Sequence, residues 1–514
     1  MPSTFSGLNT VMRGLTAQQV ALNTVGHNVS NANTDGYSRQ SVNLVAAPSE
    51  TIYGSQGAMQ VGTGVTITSV TRIRDAFMDS QMWKENSTLG SSEQQQTLLA
   101  KIEGVFQEPS DTGIQTVLTQ FATAWQTLAT NASDDSARIA VRQRGVELVD
   151  AVQHSASQLT DQLADINSSI EIKVNDVNKI TENILALNKQ ISYTEQMSGG
   201  ASANDLRDQR DVLVDQLSSL INVNVTEDAQ GNYRVQSGSL LLVDANSRLT
   251  LSTRTDYDPD FHYAVTEIDA GSFQNIQFSS GELNGLQTVR DNTILGDEGY
   301  LSQLDTVSQF LLRDFNAIHR AGYGTDNDGT ATVGTDRNFF GDAAVNYGDA
   351  SAAASMESGD WLNALKVNSE LFETTTGLAK IAAKTSADQG NASGDNAVKL
   401  FQSFQQNVTD LLPSGLAALP GGDVATLGKT SSLNSFYASM IGGLGVKSQN
   451  AQRLMDNQQT LVAQIENWRS STAGVNMDEE MTNMIRFQQG YNSSARVVTT
   501  MNDMLDKLIN EMVR

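Results

Sequence analysis

Two stretches at opposite ends of the chain constrain its fold more than anything between them. In the first, apolar residues fall three or four apart at Leu8, Val11, Leu15, Leu22, Val25 and Val29, with Gln18 filling the polar step. That spacing predicts one helix over residues 5–29, about 37 Å long, with an apolar seam meant to lie along another helix. Gly14 and Gly26 weaken it in isolation, so it is a helix that forms when packed. The Asn-rich run to Gly36 and Tyr37 ends it, because Asn and Gly tolerate left-handed backbone. The second stretch is Asn476 to Met512. Asn476 and Glu479 fit a capping pair, and Asp478, Glu479 and Glu480 suit the positive start of a helix. Its seam reads Met477, Met481, Met484, Gln488, Tyr491, Ala495, Val498, Asn502, Leu505, Ile509 and Met512. Gln488 and Asn502 are polar steps of the kind that fixes register.

The middle alternates between helical and extended signals. Gln40 to Ile73 reads as short strands, then helices are expected from Asp75 to about Phe106 and from Ile114 to Thr130. Ser136 to Met197 is the longest helical signal, with a seam through Leu159, Leu163, Ile166, Ile170, Lys173, Val177, Ile180, Ile184, Leu187 and Ile191. Gly199-Gly200 ends it, and Asn204 is expected to cap an antiparallel return helix to Ile221. Asn222 to Phe278 reads as one small sheet, and Gly285 to Ala321 as a helix. Residues 322–360 read as loops, Ala364 to Leu371 as a further sheet segment, and Leu378 to Leu411 as helix broken at 390–396. After a linker at 413–428, a long helix follows from Leu433, mildly broken near Gly442, Gly443 and Gly445.

The fold class is α+β and multidomain. A terminal coiled-coil inner domain (1–40 with 474–514) joins a helical-rod domain (41–221, 285–321 and 429–473). An outer, mainly β domain with loops (222–284 and 322–428) is nested within them. The net charge of −25 argues against nucleic acid or an anionic membrane as partner. Residues 1–40 are net +1 and residues 476–514 net −2, so the middle carries the charge, as suits ends that are buried and a body that faces water. With no cysteine, disulfides and thiolate chemistry are excluded. No eighteen-residue apolar stretch and no basic-then-apolar leader is present, so neither membrane insertion nor a cleaved signal peptide is expected.

Candidate chemistry is sparse. His27, His154, His262 and His319 stand apart with no partner at ligand spacing. Asp256, Asp258 and Asp260, or Asp326 and Asp328, are acidic loops without the terminal Glu of a calcium loop. No cofactor or catalytic motif is found, so no enzyme activity is expected. The methionines of the C-terminal stretch suit either core filling or an adaptable helix-binding face.

The motifs supply the rest. Asn28, Asn31, Asn33, Thr34, Gly36, Tyr37 and Arg39 resemble the N-terminal motif of bacterial flagellar axial proteins. Gly474 to Met481 with Asp478, Glu479 and Glu480, then Gln488, Tyr491 and Arg496, resembles the matching C-terminal end, Gly490 standing where Ala is frequent. The long helices at 136–221 resemble the hook-associated protein 1 branch of that family and not the hook protein, whose middle is chiefly β. The resemblance implies a structural protein at the junction of flagellar hook and filament, assembling through its terminal helices. It implies identical subunits, the hook protein and hook-associated protein 3 as neighbours, an export chaperone on the C-terminal helix, and an extracellular place reached by type III export. The alternatives are the hook protein itself, or a surface adhesin or hydrolase with coiled-coil ends.

Overall fold

The computed structural model describes residues 6–54, 57–111, 113–326, 336–411 and 426–507. It opens with helix α1 (Ser6–Ser30). An arm of two antiparallel ribbons follows: β1 (Gln40–Ala46) pairs with β4 (Val65–Arg72), and β2 (Glu50–Gly54) with β3 (Gly57–Val61). Asp75 then caps α2 (Ala76–Phe106), accepting from the Phe77 and Met78 amides. Helix α3 (Ile114–Thr130) precedes α4 (Asp135–Met197), whose 63 residues span about 95 Å. Helix α5 (Asn204–Leu220) returns along it.

The α4 seam keeps Leu159, Leu163, Ile166, Ile170, Val177, Ile184 and Ile191 of the expected track but takes different steps between the last four. Ile170, Val174, Val177, Thr181, Ile184, Asn188 and Ile191 are buried, whereas Lys173, Ile180 and Leu187 are only partly covered. Polar residues hid this seam: the Asn188 amide is buried because it bonds the Tyr233 backbone and Arg210. Lys173 pairs instead with Glu282. Asn204 is not a cap either. It is the first residue of α5, and its amide donates to Val70 O and Gln40 Oε1, fastening the ribbon to the helix.

The β region is two small sheets where one was expected. Strands β5 (Asn224–Glu227), β6 (Tyr233–Ser237) and β7 (Leu240–Val243) form one. Strands β8 (Ser252–Tyr257) and β9 (Ala264–Asp269) form the other. Phe273 to Phe278 joins neither as a strand, contributing single bonds such as Ile276 N to Ile268 O. The helix expected over 285–321 is divided. Helix α6 (Glu282–Thr288) leads into a π-helical stretch, Val289–Leu295. After a turn with glycines at 296 and 299, α7 (Tyr300–Gln309), a second π-helical stretch (Phe310–Phe315) and α8 (Asn316–Ala321) follow.

Residues 336–411 are short pieces: α9 (Ala350–Ala354), α10 (Asp360–Ala364) and α11 (Asp395–Gln402) with brief 3-10 turns. The expected strand at 364–371 is one isolated bridge, Val367 to Phe340, followed by a 3-10 turn at Ser369–Phe372. Aromatic packing holds this stretch. Phe339, Phe340 and Phe404 surround Phe121 and Phe315, with Trp125 between, at centroid spacings of 4.9 to 6.2 Å. Short α12 (Thr426–Thr430) leads to α13 (Leu433–Ala473), which packs along α2. It runs unbroken through Gly442, Gly443 and Gly445. Each glycine costs about 1 kcal/mol in a helix, which burial of Tyr437, Met440 and Leu444 offsets. The last described element is α14 (Met477–Asp506).

Candidate functional site at the terminal helix pair

Helices α1 and α14 lie against each other, antiparallel. Gly7 faces Met501, Gly14 faces Ser494, Gln18 faces Gly490, and Asn28 bonds Glu480; the numbers in each pair total 508. Gly490 permits the close approach, since a Cβ there would fall 2.9 Å from the Gln18 side chain.

The contact uses small residues more than the expected seam. On α1 the buried positions are Ala17, Ala21, Val25 and Asn28, and Leu8, Val11, Leu15, Leu22 and Val29 flank them, half-buried. On α14 the half-buried seven-residue track of Met484, Tyr491, Val498 and Leu505 was read from the sequence. Its companion is Glu480, Phe487, Ser494 and Met501, so Met481, Gln488 and Asn502 are exposed and fix no register here. Met477 is exposed too, and Ile509 and Met512 lie outside the described residues. The side of α14 that meets α1 is the one carrying small Gly490 and Ser494 and the buried acid. A pattern of apolar residues alone favours the other side.

Glu480 is 1% exposed, and it is the centre of the lock. Its Oε1 accepts from Arg39 Nε at 2.7 Å and its Oε2 from Asn28 Nδ2 at 3.1 Å. Asn28 also donates to Gln40 O at 2.9 Å, while its Oδ1 accepts from Gln40 N and from the Tyr37 hydroxyl. That hydroxyl lies 3.0 Å from His27 Nδ1. Burial, with Asp205, Asp208 and Glu480 nearby, pushes the Tyr37 phenol up, so it remains a neutral donor. Arg39 also pairs with Glu479 at 2.8 Å, and its backbone amide donates to Ala473 O. Asn476 caps α14 through the Asp478 and Glu479 amides. Glu479 does not return to the cap as a capping box would; it serves Arg39. Of the other motif residues, Asn31 and Thr34 bond locally, and Asn33 and Arg496 are exposed.

Gly36 has φ +73, and a Cβ there would fall 2.0 Å from Val212 Cγ2. It thus lets the motif loop turn and touch α5 at once. Behind it lies a charged collar. Ser38 N donates to Asp208, Arg72 bridges Asp208 and Asp211 at 2.7 and 2.6 Å, and Arg74 joins Asp211 to Asp79. Asp215 accepts from Trp83 and from Arg469 of α13. Burial raises the Asp208 and Asp215 carboxyls, with Arg72 and Arg469 respectively pulling them back. The sequence shows the return helix beginning at Asn204 but does not single out Arg72, Arg74, Asp215 and Arg469. The available signal is Arg72 at the end of β4 with Arg74 just beyond it, and acids at 208, 211 and 215 spaced for one face of α5.

This arrangement can hold and transmit position. Among the described residues no three His, Asp or Glu come together to hold a metal ion. What it leaves open is apolar surface. Leu454, Leu461 and Trp468 recur every seven residues on α13, exposed by 56, 37 and 52%. Met477, Met481 and Ile485 continue the exposure on α14. A cleft of about 700 Å³ opens beside Tyr37 and Asp35, with Leu187 and Leu213 in its wall.

Comparisons place the chain. The model described as flagellar hook-associated protein FlgK helical domain matches residues 99–340. Flagella basal body rod protein matches residues 8–37, and flagellar basal body rod FlgEFG protein C-terminal matches 469–511. Flagellar hook-associated protein 1 of Bacillus subtilis (strain 168) is 32% identical, covering 100% of this chain and 99% of its own. That of Escherichia coli (strain K12) is 28% identical over 98% and 99%. The solved flagellar hook junction protein FlgK from Burkholderia pseudomallei shares the fold. It has a TM-score of 0.58 at 17% identity, covering 77% of this chain and 100% of its own. The antiparallel terminal pair, the motif loop and the long-helix body thus come together in a member of the flagellar hook-associated protein 1 family, to which this chain belongs.

Proposed function

We propose that the chain is a structural, non-catalytic component of the flagellum that forms the junction between hook and filament. The observation that carries this is the terminal pair itself. Its two helices are locked to each other and to the motif loop by Glu480, Arg39 and Asn28, yet its larger apolar residues remain half-covered or exposed in the single chain. Identical neighbours would cover them, and contacts that do not close a small ring give helical arrays.

In this reading residues 1–40 with 474–514 form the innermost layer, the helical rods a second, and the sheets and loops the outermost. The hook protein and hook-associated protein 3 are the axial neighbours. A chaperone covers the C-terminal helix before type III export, since an exposed Met-bearing stripe needs shielding from premature association. The test is truncation. Deleting residues 1–38 or 476–514 should leave a folded body that no longer assembles on isolated hooks. Normal filament growth with either truncated form would sink the proposal.

A further inference from the structure

The cleft that the β8–β9 ribbon forms with the π-helical stretch after α6 has a volume of about 310 Å³. Asp256, Tyr257, Asp258, Glu267, Asn275 and Gln277 line it. Glu267 is 8% exposed, and its Oε2 is buried without a hydrogen-bond partner. A buried carboxylate oxygen lacking a donor is costly to the fold unless a cation or proton meets it. The neighbouring Arg290 does not supply that partner. Its Nε and Nη2 hold Asp291 at 2.6 and 3.2 Å, its Nη1 donates to Thr266 O, and only Nη2 reaches Glu267, at 3.5 Å to the other oxygen. Burial accordingly raises the Glu267 carboxyl.

We propose that this cleft binds an organic cation, a guanidinium or primary ammonium, with Glu267 Oε2 as its principal acceptor. A bare divalent ion fits less well. It demands six or more oxygens at about 2.3–2.6 Å, and no three acids converge that closely among the described residues. Asp256 is engaged by Arg254, and Asp258 Oδ2 accepts from the Asp260 and Phe261 amides. A guanidinium instead presents five donors in a plane, matching acceptors spread over a cleft of this size. The Tyr257 ring at the rim adds a face on which a cation rests favourably. The cation has two possible sources, a basic side chain of a neighbouring chain or a free polyamine.

The experiment is calorimetric titration of the full chain with agmatine, which carries both groups, at low salt. Binding is expected, weakened about tenfold or more in Glu267→Gln and less in Asp258→Asn, each variant checked for native circular dichroism. Absence of agmatine binding overturns the proposal. So does equal binding by Glu267→Gln, or a calcium chloride titration that saturates the same site more tightly than agmatine. Cross-linking between copies of the chain separates the sources. Cross-links lost at saturating agmatine assign the site to a neighbour's side chain, and unchanged cross-links assign it to a free cation.

Discussion

Replacing Glu480 by Gln tests whether the buried acid, and not the apolar seam, holds α14 in place. Glu480 is 1% exposed and accepts two bonds, from Arg39 at 2.7 Å and Asn28 at 3.1 Å. Gln keeps one acceptor oxygen of similar shape but loses the charge. Removing one partner from a fully buried ion pair costs about 3–5 kcal/mol. Arg39, however, is 20% exposed and retains Glu479 at 2.8 Å, so it is not stranded. One charge-assisted bond is the net loss, about 2 kcal/mol. That free energy belongs to docking of the terminal pair and leaves the body untouched. Hydrogen exchange read by mass spectrometry should therefore show amides of α1 and α14 exchanging about 30-fold faster, since 1.4 kcal/mol is tenfold. Amides near Ile166 and Ile170 in α4 should not change. Unchanged exchange in α14, or equal acceleration in α4, would refute the reasoning.

Gly36→Ala sets a side chain at φ +73 against Val212 and should cost about 2–4 kcal/mol in urea unfolding, whereas Gly26→Ala, with open space around it, should be neutral or slightly stabilising. Trp468→Glu should leave the melting temperature within a few degrees, because the ring is half-exposed, while abolishing assembly on hooks. Burial holds the His319 pKa down at about 4, outweighing the bond its Nδ1–H donates to Arg337 O, while its Nε2 accepts from Ala382 N. The unfolded chain takes up that proton first, so stability is lost as pH falls from about 6.5 towards 4. Asp305, pushed up by burial to about 6, acts oppositely, gaining stability as pH falls from 6 to about 4. In Asp305→Asn the gain disappears, so between pH 6.5 and 4 the variant should lose about 3 kcal/mol relative to the parent, measured by urea midpoints. An unchanged difference across that range would contradict the Asp305 assignment.

The helices were legible where the sequence carried both period and punctuation. Ile114–Thr130 and the long helix ending at Gly199 match their expected limits within a residue, and Asn476 caps α14 as its position suggests. Periodicity misled where polar residues occupy core positions. Thr181 can lie in the α4 seam because its hydroxyl bonds back to Val177 O one turn earlier, and Asn188 because Tyr233 and Arg210 satisfy its amide, distant partners that no local pattern reports. The sheets were legible as extended segments but not as separate sheets, because strand pairing depends on which surfaces the long helix offers them.

By itself, the sequence determined that both ends are helices with faces needing cover, that a motif loop must turn at Gly36, and that a long helical rod lies between. Those follow from repeat period, caps and glycine positions, which are local properties of the chain. Tertiary structure decided the register of α1 on α14, the choice of Glu480 over Gln488 and Asn502 as its polar anchor, and the collar built from Arg72, Arg74 and α5. Those depend on groups more than a hundred residues apart meeting in a space from which water is excluded. There an unpaired charge is costly and a paired one fixes position.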